Sequence, residues 1–328
     1  MFEDISVVVQ GPVQALKDRK QDDGITQTCL KSVRRHLPGA TIILSTWHGQ
    51  DLNGLDYDEL VLCDDPGQNI RQYNSKGEPH YFNNNRQIVS TTEGLKKVKT
   101  KYAIKLRSDN YLTSNAFVDF QKYFKGYSDK YKFLNERVVV CDVFTRKIAK
   151  GLHVAFHISD FFYFGLTEDL LSLWDLPLEV DFVPTDRVPI DNCAPYHLVD
   201  CTQLFVLKFL DKVGFNINLR HLHDLSGDKL KISEEFIANN LIILNENELG
   251  LGLSSKFKGK AKVNSFKGKC AHYQYYEWQR LYKKYVNHNH VIDAKLSRKI
   301  RVALTRFILI YPRSIETIFN IYRKKLTR

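Results

Sequence analysis

Ile5-Ser6-Val7-Val8-Val9-Gln10-Gly11-Pro12 is a β-branched run that stops at a Gly-Pro pair. Such a run reads as a short buried strand followed by a sharp turn. The theme repeats downstream. Residues 28–37 carry Leu30, Val33 and Leu37 at helical spacing and end at Pro38-Gly39, a helix exit. Residues 40–47 and 59–63 read as the second and third strands, and the third closes on Asp64-Asp65-Pro66-Gly67. A helix over residues 85–98 then leads into a fourth strand at 102–106. Apolar strands separated by helices predict an α/β fold, with a mostly parallel, Rossmann-like sheet covered by helices on both faces.

Beyond residue 110 the pattern is mixed. Residues 137–141 and 160–164 read as strands, residues 167–174 and 202–210 as helices, and a loop with Pro184, Pro189 and Pro195 lies between the helices. Residues 254–269 hold six lysines and no acid, which predicts a mobile basic loop. From residue 292 onward the chain reads as helical with a break near Pro312. No internal repeat is visible.

Composition excludes several classes. With 328 residues, 26% charged and 43% hydrophobic, the chain has the balance of an ordinary globular protein rather than a disordered, fibrous or disulfide-stapled one. The net charge of +11 is unevenly spread: from residue 294 to 328, ten Lys or Arg face the single acid Glu316, so this tail holds nine of those charges. The six cysteines show neither a CxxC pair nor zinc-like spacing. The opening Met1-Phe-Glu-Asp-Ile has no basic stretch followed by an apolar run, and no segment approaches a spanning helix. A cytoplasmic protein is the expectation.

In an open parallel sheet, ligands bind at the carboxyl ends of the strands. Gln10, Gly11 and Pro12 follow the first strand, Asp64, Asp65 and Gly67 the third, and Arg107, Ser108, Asp109 and Asn110 the fourth. These polar clusters share one rim and suit a nucleotide. Neither GxGxxG nor GxxxxGK[ST] occurs, so dinucleotide and P-loop readings lose their main support. Asp109 at a strand end suits Mg2+ or Mn2+, although an Asp-Asn pair equally suits a turn or a cap. Arg107 beside it suits bidentate phosphate contact or neutralisation of Asp109. Asn83-Asn84-Asn85 suits a helix start, where Arg86 would strengthen an anion site.

Asp200 opens an apolar helix. Partial burial there would raise its pKa towards that of a general base, and an N-cap explains it as well. Asp160, ahead of an aromatic strand, is a candidate for orienting an acceptor hydroxyl, with a strand-edge role preferred. The pairs His221/His223 and His288/His290 lack a third ligand at metal-site spacing. For His272, within an aromatic segment, packing is the default. In the tail, Leu296, Ile300, Leu304, Phe307 and Ile308 fall on one helical face, with Lys295, Arg298, Lys299, Arg301 and Arg306 around much of the rest. That pattern predicts association with an anionic membrane surface ahead of docking on the protein's own body or binding nucleic acid.

Six blocks in order carry a resemblance: Ile5-Ser-Val-Val-Val-Gln-Gly-Pro12, Thr28-Cys-Leu-Lys-Ser-Val-Arg-Arg-His-Leu-Pro-Gly39, Ile43-Leu-Ser-Thr-Trp47, Asp64-Asp65-Pro66-Gly67, Asn84-Asn-Arg-Gln87 and Lys105-Leu-Arg-Ser-Asp109. Over residues 1–113, and more loosely to about residue 250, the chain resembles the WavE-type lipopolysaccharide-synthesis family. The resemblance implies a glycosyltransferase with a GT-A-like fold that builds lipopolysaccharide, O-antigen or capsule glycans. GT-A enzymes place an Asp-x-Asp metal site at the end of the fourth strand. Here the triplet is Arg107-Ser108-Asp109, which leaves open a Mn2+ or Mg2+ ion on Asp109 or charge neutralisation by Arg107.

The expected organisation is a transferase domain over 1–250, divided into a donor half, 1–113, and an acceptor half, 114–250. A basic loop and aromatic segment follow over 251–293, and a membrane-associating tail over 294–328. Gln10, Gly11, Pro12, Asp65, Arg86, Arg107 and Asp109 would bind the nucleotide-sugar donor, Asp200 would act as base, and Asp160 would meet a glycan or lipid-linked glycan acceptor. The enzyme would sit on the inner face of the cell membrane, with no nucleic acid partner. The alternatives are a sugar nucleotidyltransferase and a non-catalytic basic protein that binds membranes or polyanions.

Overall fold

In the computed structural model, residues 1–15, 20–74, 76–184, 198–258, 264–265 and 270–326 are described. The core is a seven-stranded sheet of β1 (Ile5–Gln10), β2 (Thr41–Trp47), β3 (Glu59–Cys63), β4 (Tyr102–Arg107), β5 (Val138–Cys141), β6 (Phe162–Leu166) and β7 (Leu241–Leu244). Their order across the sheet is β7-β5-β6-β4-β1-β2-β3. β1 pairs in parallel with β2 and β4, β2 with β3, and β5 with β7, while β6 runs antiparallel to both neighbours. The fold is therefore the mixed α/β class that the alternating pattern predicts.

β1, β2, β4, β5 and β6 read clearly in sequence because they are buried on both faces. Every residue of β1 is buried, as is every residue of β5, β6 and β7. Helix α1 (Ile25–His36) follows β1, and α2 (Asn84–Leu95) precedes β4. β2 and β4 flank β1 on opposite sides, so right-handed crossovers send these helices to opposite faces of the sheet. α2 lies close against its face. A Cβ on its Gly94 would come 2.4 Å from Val8 Cγ1, so only glycine fits there.

Further along lie α3 (Phe117–Tyr123), α4 (Thr167–Trp174), α5 (Cys201–Lys212) and α6 (Lys229–Asn240), then α7 (Glu246–Leu249), α8 (Ser255–Lys258) and α9 (Tyr275–Tyr285). α9 packs on α6 and β7, burying Trp278 completely. A second, four-stranded sheet joins Arg146–Ala149, Leu152–His153, Cys270–His272 and Asn264–Ser265. His272 is buried there with its ring 5.7 Å from Phe144, so it packs rather than faces a ligand. The chain then forms α10 (Leu296–Leu309) and α11 (Tyr311–Leu326), and the break falls just before Pro312.

The segment read as a mobile basic loop is corrected in its described part: residues 255–258 form α8, and Asn264–Ser265 is a strand of the second sheet. Residues 259–263 and 266–269 lie outside the described residues, as do Pro189 and Pro195 of the proline-rich loop.

Candidate active site

Six strands present their carboxyl ends on one rim. β6 runs the other way and brings its amino end to the same rim. Its register sets Phe162 opposite Leu106 and Tyr163 opposite Lys105. Asp160, just before β6, is thereby carried next to Arg107 at the end of β4. This placement could not be read from one strand alone.

A small cleft with a cavity volume of about 40 Å³ lies on this rim, lined by Gln10, Gly11, Pro12, Trp47, Asn83, Arg86, Gln87, Ser90 and Arg107. Five of these were expected from the sequence. Gly11, at φ +112°, lets the chain turn out of β1 where a side chain would be strained. The turn is fastened to the end of β4: Ser108 N donates to Gln10 O at 2.9 Å, and Ser108 Oγ donates to Pro12 O at 2.6 Å. Gln10 is buried and its Oε1 accepts from Ser90 Oγ at 2.8 Å.

Arg86, in the first turn of α2, grips Asp65 from β3's exit through Nε–Oδ1 at 2.7 Å and Nη2–Oδ2 at 2.6 Å. Its Nη1 donates to Asn83 Oδ1 at 2.9 Å. Asn83 is the residue before α2, but its side chain makes no capping bond and serves Arg86 instead. Burial opposes ionisation of Asp65, yet Arg86 and the Gly67 amide hold its carboxyl below the usual range. Asp65 thus acts on the cleft through Arg86.

Arg107 is the central cation. Nε and Nη2 each lie 2.9 Å from an oxygen of Asp109, and Nη1 lies 3.3 Å from Asp160 Oδ2. Its guanidinium stacks over Phe161 at 4.7 Å and Phe257 at 5.4 Å. Burial disfavours its charge, but Asp109 and Asp160 more than offset that and keep it protonated. Asp109 is fully buried, and Lys256 Nζ of α8 reaches its Oδ2 at 2.7 Å. α8 therefore folds its lysine and phenylalanine onto the site.

Both oxygens of Asp109 are engaged by cations, and among the described residues no group of three or more His, Cys, Asp or Glu is placed to hold a metal. The cations on this rim, Arg86, Arg107 and Lys256, are paired with the carboxylates of Asp65, Asp109 and Asp160.

Asp160 is next to the cleft: its backbone carbonyl accepts from Lys105 Nζ and from Gln87 Nε2 at 3.1 Å, and its carboxylate meets Arg107. Asp200 does not line the cleft. It caps α5 in a capping box with Gln203, and lies 3.6 Å from Arg146 and 3.8 Å from His157. The expected upward pKa shift is corrected. Burial does push the carboxyl up, but the His157 ring, Arg146 and the Thr202 amide outweigh it and hold Asp200 well below the carboxylate range. A carboxylate so held is a poor proton acceptor.

Sequence reasoning missed Trp47, Gln87 and Ser90 in the cleft, and Lys256 and Phe257 above it. Trp47 carried a signal, since it ends β2 on the same rim. Lys256 carried none, because a lysine in a run of lysines reads as a solvated loop.

Among curated proteins, none matches the chain. Similar solved structures include a cytidylyltransferase from Leptospira borgpetersenii (11% identity, TM-score 0.31), where the match covers 52% of this chain and 63% of that one. Another is HddC from Yersinia pseudotuberculosis in complex with GMP-PN (10% identity, TM-score 0.27, covering 54% and 81%). A third is 4-diphosphocytidyl-2C-methyl-D-erythritol synthase from Anaerococcus prevotii (13% identity, TM-score 0.32, covering 72% and 96%). Scores this low carry no argument about function. The sequence pattern described as WavE lipopolysaccharide synthesis, by contrast, matches residues 5–308. The chain belongs to the WavE lipopolysaccharide synthesis family.

Proposed function

We propose that this protein is a glycosyltransferase of lipopolysaccharide assembly, moving a sugar from a nucleotide-sugar donor to a glycan acceptor. The observation that carries the reading is the cationic group Arg86, Arg107 and Lys256 at the strand-end rim, beside a cleft lined by the amides of Gln10, Asn83 and Gln87 and by Trp47. Gln10 and Trp47 would meet the nucleoside. Arg107 and Lys256 would turn from Asp109 to the diphosphate oxygens, neutralising the charge that develops when the sugar C1–O bond breaks and its electron pair stays on the diphosphate. In this reading cationic side chains take the role that a metal ion would otherwise have.

The acceptor oxygen forms the new bond to C1 and must lose its proton. Asp160, held beside Arg107, is the carboxylate proposed to orient that hydroxyl and to accept its proton. Asp200 is left with a structural role at the start of α5. If a nucleoside triphosphate and a sugar phosphate occupied the cleft instead, the reaction would be nucleotidyl transfer. The products separate the two: glycosyl transfer releases a nucleoside diphosphate or monophosphate, whereas nucleotidyl transfer releases pyrophosphate. Purified protein incubated with sugar nucleotides and lipopolysaccharide fragments should release the nucleotide only when acceptor is present. Pyrophosphate from a triphosphate plus sugar phosphate, with no turnover of any sugar nucleotide, would overturn the glycosyltransferase reading.

A further inference from the structure

We propose that α10 and α11 form a platform that lies in the interface of an anionic phospholipid bilayer, with its apolar side in the lipid. The two helices are amphipathic in an inverted sense. α10 docks on the body through Arg298, Val302 and Arg306, spaced by four, with Ile310 one further step along. Arg306 reaches Glu277 through Nη1–Oε1 at 2.6 Å and Nη2–Oε2 at 2.8 Å, and Nη2 also donates to His272 O at 2.8 Å. Arg298 meets Glu248 at 2.7 Å and also donates to Asn245. Val302, between these anchors, and Ile310, beyond Arg306, are completely buried.

With its cationic side committed inward, α10 turns its apolar residues outward. Leu296, Ile300, Leu304, Phe307 and Ile308 are between 49% and 70% exposed. α11 continues the surface with Ile315, Phe319 and Tyr322, each more than 60% exposed. Apolar stripes of this extent on a protein surface mark an interaction site. Charge identifies the partner. Lys295, Arg301 and Arg313 are exposed along the same helices, and the segment's single acid, Glu316, is paired with Arg313 at 2.7 Å.

A cleft of about 470 Å³ between α9 and α10, lined by Tyr275, Tyr276, Lys295, Arg298 and Arg301 with Glu248 and Asp293, opens beside the stripe. Ser297 and Arg301 line both this cleft and the apolar groove over Ile300, Leu304 and Ile308. Cations next to an apolar groove complement a lipid phosphate and its chains. No described helix is long and apolar enough to cross a membrane, so the contact is in-plane. Asn245 in turn donates to Asp142 Oδ2 at 2.6 Å, just past β5, which fastens the platform to the rim that carries the cleft.

The test is co-sedimentation of the full chain with vesicles of phosphatidylcholine alone, or of two parts phosphatidylcholine to one part phosphatidylglycerol. Binding to the anionic vesicles is expected, weakening with salt. Leu304→Asp combined with Phe307→Asp, both at exposed positions, should abolish it without altering the circular dichroism or melting temperature. Arg301→Glu should weaken it by at least about fivefold. Failure of the wild type to sediment, or equal sedimentation of the Asp variant, would overturn the proposal. A dimer in sedimentation velocity that the Asp variant dissociates, in place of vesicle binding, would assign the face to a second copy and overturn it equally. Neither result depends on the reaction proposed above.

Discussion

The guanidinium of Arg107 clasps the carboxylate of Asp109, one 2.9 Å bond to each oxygen, and Lys256 closes on the same carboxylate from α8. One buried anion therefore holds two cations at the strand-end rim. Asp109 is paired with Arg107, the neutralisation that its sequence position offered beside a metal ligand, a turn or a cap.

Removing that anion has a predictable cost. Asp109→Asn keeps the shape but leaves Arg107 and Lys256 without their shared partner. Breaking a buried ion pair from one side typically costs about 3–5 kcal/mol. Urea unfolding should show a loss of that order, and transfer activity should disappear even in the fraction that remains folded.

Lys256 is partly exposed, so its removal is milder for the fold. Lys256→Ala should shift the melting temperature little and weaken nucleoside diphosphate binding roughly tenfold, the scale of one charge-assisted hydrogen bond. Isothermal titration of wild type and variant checks both. Unchanged affinity would remove α8 from the site.

A buried lysine gives a pH prediction. Burial, with Arg107 nearby, pushes the Lys105 ammonium from its ordinary 10.5 down to about 7. The unfolded chain keeps that amine protonated through the window in between, so folding there releases a proton. Stability from this group is flat below about pH 7 and rises with pH from there towards 10.5. The wild type should therefore gain melting temperature relative to Lys105→Met between pH 7 and 9. A constant difference would contradict the assignment.

Docking of the tail has the same pH sense in a more acidic window. Burial opposes ionisation of Glu277, but Arg306 and Lys147 hold its carboxyl down to about 2 from its ordinary 4.5. The stability it contributes is complete above pH 4.5 and is lost as pH falls towards 2. Glu277→Gln should free α10 at neutral pH, which limited proteolysis would detect as faster cleavage between α9 and α10.

Burial explains only part of what could be read: β3 was legible although half exposed, and β7 was missed although fully buried. β1 was legible to the residue because a strand covered on both faces is an unbroken β-branched run. β7 was not, since Leu241 to Leu244 continues directly from α6 with no turn residue between. The second sheet is built of strands two to four residues long, too short to show a period. At the site, Gln10, Gly11 and Pro12 could be placed from one strand end, whereas the pairing of Lys256 with Asp109 spans 147 positions and leaves no local trace. Asp200 shows the limit from the other side: an acid opening a helix looks the same as a cap or as a base, and only Arg146 and His157 decide which. For the tail, periodicity identified the apolar face, but only Glu277 and Glu248 reveal that the opposite face docks.

The most direct test of the central claim, that cationic side chains at this rim hold a nucleotide diphosphate, is thermal stabilisation against UDP, GDP, ADP, TDP and CMP, each with Mn2+ and with EDTA. A ligand present at 100 times its Kd stabilises by about 2.7 kcal/mol. The account predicts a shift of several degrees for one nucleotide, unchanged by EDTA and lost in Arg107→Met. A shift that needs Mn2+, or one that survives the loss of Arg107, would contradict it.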